Sequence, residues 1–180
     1  MKRALVIGSA PCVADDVAAA PDWPVIAVNW AVIRHLGPIE FMASIHRALV
    51  YKSIIARRAL GGDMDYTAYT KVPANRGIPV VLPPTRVVAE RQTLGPGSSA
   101  LFAVEIALRL GYERLILCGV PLEGNKTLQE NGPEERIRFG KNFFETFRGK
   151  WLKHRDLLEP HVRSMSGWTR EKFGPGEDWK

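Results

Sequence analysis

The chain has 180 residues, 46% of them hydrophobic, which is enough for one α/β domain with a full core and short for two. Its formal net charge of +6 favours anionic ligands, phosphates or nucleic acid, without choosing between them. No window nears the roughly 20 apolar residues that span a bilayer, the first apolar run is too short for a signal peptide, and Cys12 and Cys118 lack a CxxC partner. The expectation is a cytoplasmic protein with buried thiols, no membrane span and no metal site.

Ala4-Leu5-Val6-Ile7 is a continuously apolar run ending at a glycine, the pattern of a strand covered on both faces of a parallel sheet. Gly8, Ser9 and Pro11 then turn the chain into a short helix over residues 13–20, whose Asp15 and Asp16 complement the helix dipole. Such a helix start offers free N–H groups where a phosphate would fit; an ordinary strand-to-helix turn reads the same way. The dinucleotide fingerprint would need glycines where Ala10 and Val13 stand, and no Walker lysine follows.

Residues 25–28 form a second buried-strand pattern, placing Asn29 at a strand end, where its amide can read a base or ribose, or cap a helix. Residues 41–44 form a third, so His46 and Arg47 project from the same edge ahead of a helix over residues 48–60. A histidine there is either a hydrogen-bonded structural residue or a catalyst. Residues 61–76 have no clear period and read as an irregular excursion or lid. A fourth strand is expected at residues 80–82, whereas nothing in 87–93 is decisive.

Leu94-Gly95-Pro96-Gly97-Ser98-Ser99 is a second glycine-rich turn, opening an almost wholly apolar helix that Gly111 closes. Residues 115–118 follow as a strand. The recurrence of strand, loop and helix argues an α/β protein: a single Rossmann-like domain over residues 1–173 with a doubly wound, mainly parallel sheet. Its last part, residues 133–173, is basic and mainly helical, with Arg148, Lys150, Lys153 and Arg155 in one run that by default is a solvated face. His154 lies inside that run, and His35 and His161 have weaker claims to a role. Residues 174–180 are expected to be loose.

The GSAP loop, Asn29 and the segment GPGSSALFAVEIALRLGYERLILCGVPL together resemble the bacterial sialyltransferase-like fold and a related group that includes a 6-hydroxymethylpterin diphosphokinase and small phage-encoded proteins. The likeness covers roughly residues 3–122. It implies that Gly8, Ser9 and Pro11 lie near the phosphates of a nucleotide or nucleotide-sugar donor, that Asn29 contacts the nucleotide, and that Gly97, Ser98 and Ser99 complete the pocket. Gly119 and Leu122 match the family's G-x-D segment, but Pro121 stands at its acidic position. His46 becomes a pocket candidate. The family's general-base histidine has His154 as a counterpart by region, although no motif aligns the two.

Three functions fit. The first is a glycosyltransferase-like or diphosphokinase-like enzyme with a CMP-sugar-like or ATP-like donor and His46 or His154 as general base. In it, backbone dipoles, hydroxyls and Arg47 meet the phosphate charge, and any metal plays a secondary part. The second is a nucleotide-binding module without catalysis. The third, a nucleic-acid-associated protein using the basic last third, ranks below both because no helix-turn-helix, RRM or finger signature is present.

Overall fold

The computed structural model describes residues 1–71, 85–95, 98–123 and 143–179. Among these residues seven strands form one sheet: β1 (Lys2–Ile7), β2 (Val25–Val28), β3 (Phe41–Ser44), β4 (Thr67–Lys71), β5 (Arg86–Glu90), β6 (Tyr112–Cys118) and β7 (Val162–Ser164). Their spatial order is β5-β4-β3-β2-β1-β6-β7, and every strand pairing is parallel. The chain winds outward from β1 to β5, crosses back through a helix to β6, and ends at β7. The order therefore reverses between β1 and β6, the position at which open α/β sheets leave a crevice at the carboxyl ends of their strands.

Alternation along the central strands divides the core into two layers. Ala4, Val6, Ile26 and Val28 face α4 (Ser99–Arg109), α5 (Phe143–Lys153), α6 (Arg155–Leu158) and α7 (Gly167–Phe173). Leu5, Ile7, Val25 and Ala27 face α1 (Val13–Ala19), α2 (Ala31–Arg34) and α3 (Arg47–Ala59). Strands covered on both sides have no polar face to show, which is why β1, β2, β3 and β6 were visible as unbroken apolar runs. Helix α4 is buried from Ser99 to Ala107. Its one acid there, Glu105, accepts hydrogen bonds from the Thr93 N–H (2.7 Å), the Thr93 hydroxyl (2.6 Å) and the Leu94 N–H (3.2 Å), fastening the segment that leads into the helix.

Arg57 is a second buried charge. Its guanidinium donates to the carbonyls of Val32, His35, Leu36 and Gly37, and its Nε to that of Asp63 (2.6 Å). It thereby satisfies the carbonyls at the end of α2, which a four-residue helix cannot satisfy itself.

Three expectations change. Residues 67–71, read as part of an irregular excursion, are β4, whose Thr67, Ala68, Tyr69 and Thr70 pair with Phe41 to Ser44 of β3. The stretch 87–93, in which nothing was decisive, supplies most of β5 (Arg86–Glu90). The tail is seated: Pro175 bridges to Ser164, Gly176 is buried, and a 3-10 turn (Gly176–Trp179) lays Trp179 over Arg163 and Arg114. The strand expected at 80–82, the rest of the irregular excursion or lid at 72–76 and the first part, 133–142, of the basic helical region lie outside the described residues. Among the described residues no helix is long and apolar enough to cross a membrane.

Candidate functional site

Because all strands are parallel, the loops after β1, β2, β3, β6 and β7 share one edge. Helix α4 brings its amino end to that edge, since the Ser99 hydroxyl accepts a hydrogen bond from the Ile45 N–H just beyond β3 (3.1 Å). Gly8, Ser9, Asn29, His46, Arg47, Ser98, Ser99, Gly119 and Leu122 are thus gathered at the carboxyl edge. Gly97 lies outside the described residues. The edge has two halves of different character.

On the β1, β6 and β7 side most of the polar groups are spent on one another. The Gly8 N–H bonds the Cys118 carbonyl (2.7 Å) and the Ala10 N–H bonds the Gly119 carbonyl (3.2 Å), and Pro11 has no N–H to offer. Gly8 is glycine because a Cβ there would overlap the Gly119 carbonyl oxygen and Val120. Gly119 takes a φ of 66°, and a Cβ on it would strike Val13. Asp16, only 6% exposed, accepts from the Gly119 N–H and the Ser166 hydroxyl, both at 2.7 Å. The Ser166 proton is committed to Asp16, so the Cys12 thiol, 3.3 Å away, donates to the Ser166 oxygen. Burial pushes both thiols above their ordinary range, with the Asp16 charge adding to the effect. Cys118 is buried as expected and Cys12 is half-buried. Leu122, at a φ of 49°, turns its side chain into the core and its carbonyl to Arg148 (2.9 Å). The Gly8 loop is therefore chiefly a weld between β1 and β6.

The β2 to β4 side differs. Asn29 has a φ of 53°, and its N–H bonds the Ala43 carbonyl (3.2 Å); it does not cap α2, which Trp30 precedes. Its Oδ1 is buried without a hydrogen-bond partner, as are Trp30 Nε1, Tyr51 Oη and Thr70 Oγ1. Ser98 caps α4: its Oγ accepts from the Leu101 N–H (3.2 Å) and from Trp151 Nε1 (3.4 Å). A hydroxyl has two acceptor lone pairs, so Ser98 keeps only its O–H to give, beside the Ser99 and Ala100 N–H groups that a first helical turn leaves unused. The eleven-residue α4 thus presents an open amino end at this edge. Arg47 begins α3, its guanidinium 5.7 Å from the Tyr51 ring centre. His46 is exposed immediately before it, held by its N–H to Ser44 Oγ (3.1 Å).

His154 is not brought to this group. It heads α6, its carbonyl accepting from the Leu157 and Leu158 N–H groups, where the chain leaves Trp151 for the amino end of β7. Asp16, Ser166 and Trp151 were missed as edge residues. The signal for Asp16 was its place between Val13 and Val17 on the inward face of α1, where an acid needs buried donors. Among the described residues no three His, Cys, Asp or Glu side chains gather to hold a metal ion. In comparisons with known proteins the chain matches no family model, no curated protein and no solved structure.

Proposed function

We propose that the carboxyl edge binds a nucleotide-activated small molecule, with a phosphate at the amino end of α4 and the nucleoside against Asn29, and that the protein is a glycosyltransferase-like enzyme. The observation that carries this reading is the polar balance at α4. Ser98 has both lone pairs engaged and only a proton to donate, next to two free backbone N–H groups and the positive end of the helix dipole, a set of donors suited to phosphate oxygens. Asn29 Oδ1 requires the opposite, a donor such as a ribose hydroxyl or a base amine. A nucleotide supplies both. The resemblance to the sialyltransferase-like family supports a sugar as the group transferred.

In such a transfer the acceptor hydroxyl attacks the donor carbon while the bond from that carbon to the phosphate oxygen breaks. His46, the exposed histidine at this edge, takes the acceptor's proton. The nucleotide leaves with the bonding electrons, its charge met by the α4 N–H groups and the Ser98 O–H. The second reading, a module that binds the nucleotide without turning it over, is favoured by Pro121 and by the internal bonding of the Gly119 loop.

Calorimetry with CMP, UDP, GDP, ATP and their sugar conjugates, with and without EDTA, tests both. Binding at millimolar concentration or tighter should survive the chelator. Asn29→Gly keeps the positive φ while removing the amide, and should weaken binding by about 1–3 kcal/mol. Affinity equal to the wild type, or no binding of any nucleotide, overturns the site. His46→Gln with affinity retained and turnover lost supports the transferase; wild-type turnover absent with every donor supports the module.

A further inference from the structure

A second cationic surface runs from the amino ends of β1 and β6 to the middle of β7, on the face that carries α1. Arg3 of β1 and Arg114 of β6 are register partners, and both alternate with inward residues of that layer, Leu5 and Ile116. Arg163 of β7 pairs with Ile116 and so shares the face. The three guanidiniums are laid on indole rings. Arg3 Cζ is 5.1 Å from the Trp23 ring centre, and Arg114 and Arg163 are 5.5 and 4.6 Å from that of Trp179. None of the three belongs to the basic run at residues 148–155.

Two features set this row apart from a solvated charged face. Like charges on facing strand positions repel, and none of these arginines has a carboxylate within ion-pair distance among the described residues. Asp22 and Asp178, next to the two tryptophans in sequence, pair with none of them; Glu177 is engaged with Arg170. The indoles restrain the three guanidiniums, whose N–H groups can bond phosphate oxygens and whose planes can stack on a base. Only Arg163 is further tied down, to the carbonyls of Glu159 (2.7 Å) and Val162 (2.8 Å).

We propose that this row, Arg3, Arg114 and Arg163 seated on Trp23 and Trp179, binds the backbone of single-stranded nucleic acid. Strands lie about 4.8 Å apart, so three neighbouring strands offer cations over ~10 Å, a span for a few consecutive nucleotides. Among the described residues no α-helix projects from the row to enter a duplex groove, so a flexible single strand fits it better than B-form DNA.

Fluorescence anisotropy of a labelled short oligothymidylate, titrated with the full chain over a range of salt concentrations, reads the surface directly. Arg3→Gln combined with Arg114→Gln should weaken binding at least fivefold and reduce the log–log salt slope by about 1.4, two phosphate contacts on a single strand. Lys52→Gln combined with Lys153→Gln removes equal charge from exposed sites on α3 and α5 and should change affinity less than twofold. Equal losses in the two double variants, an unchanged slope, or no binding by the wild type overturns the proposal. So does competition by inorganic phosphate at equal phosphate concentration, which marks a single-anion site, or binding to anionic vesicles but not to the oligonucleotide. Nucleotide calorimetry on the Arg3/Arg114 double variant separates this surface from the carboxyl edge, since that affinity should be unchanged.

Discussion

The two halves of the carboxyl edge are built from similar parts and end in opposite states. Between β1, β6 and β7, the polar groups largely close on protein partners: Asp16 holds Gly119 and Ser166, Ser166 holds Cys12, and the Gly8 and Ala10 N–H groups close on the β6 loop. Between β2 and β4, Asn29, Trp30 and Thr70 each bury a polar atom with no partner. An unsatisfied buried group costs about 1–3 kcal/mol, whereas a satisfied one is roughly neutral or better. The closed half therefore contributes stability, and the open half carries a cost that a bound molecule would offset. A glycine-rich loop after the first strand is not by itself a phosphate site, because its N–H groups can be consumed by the neighbouring strand.

The largest test removes the centre of the closed half. Asp16→Ala leaves the Gly119 N–H and the Ser166 hydroxyl buried without their shared acceptor, and should cost about 3 kcal/mol in urea unfolding. A loss below about 0.5 kcal/mol, the scale of an ordinary surface substitution, would mean the junction is not closed. Gly8→Ala should follow at about 1–3 kcal/mol, the cost of forcing a methyl into a filled space. Were Gly8 instead a phosphate cradle, that variant would fold normally and lose nucleotide affinity. The gentlest probe is pH. Cys12 and Cys118 have raised thiol pKa values in the folded state, so between the unfolded value near 8.5 and the folded values the native protein binds more protons than the unfolded chain. Stability is then fully present below about pH 8.5 and falls as the pH rises through the folded values. The thermal midpoint should drop between pH 8 and pH 10 by less in Cys12→Ser than in the wild type, a serine having no such titration.

Much of the fold was legible because parallel strands buried on both faces leave unbroken apolar runs, and β2 and β3 coincide with theirs. Strand β4 was hidden for the converse reason. Its Thr67, Tyr69 and Lys71 are only half-buried and alternate with buried Ala68 and Thr70, so the signal is a period of two carried by polar, β-branched and aromatic residues. The tail escaped because its anchors, Arg114 and Arg163, lie far from Trp179 in sequence. Of the candidate site, the gathering of Asn29, His46 and Ser98 at one edge followed from each lying at a strand end or helix start. Which N–H groups stay free did not. That depends on pairings such as Ala10 with Gly119 and Trp151 with Ser98, between residues more than fifty positions apart, which no local pattern encodes.

Arg57 ties together segments that are weak alone. Helix α2 has four residues, too few to persist by its own hydrogen bonds, and the loop after it and the turn at 61–63 have little regular structure. One guanidinium accepts responsibility for five of their carbonyls, so none of these segments can detach while the others stay. They should open as one cooperative unit, a foldon whose amides exchange with solvent at a common free energy even though more than thirty positions separate its ends. The residue that sets this energy is on α3, so the protection of α2 against exchange is decided by a side chain outside α2.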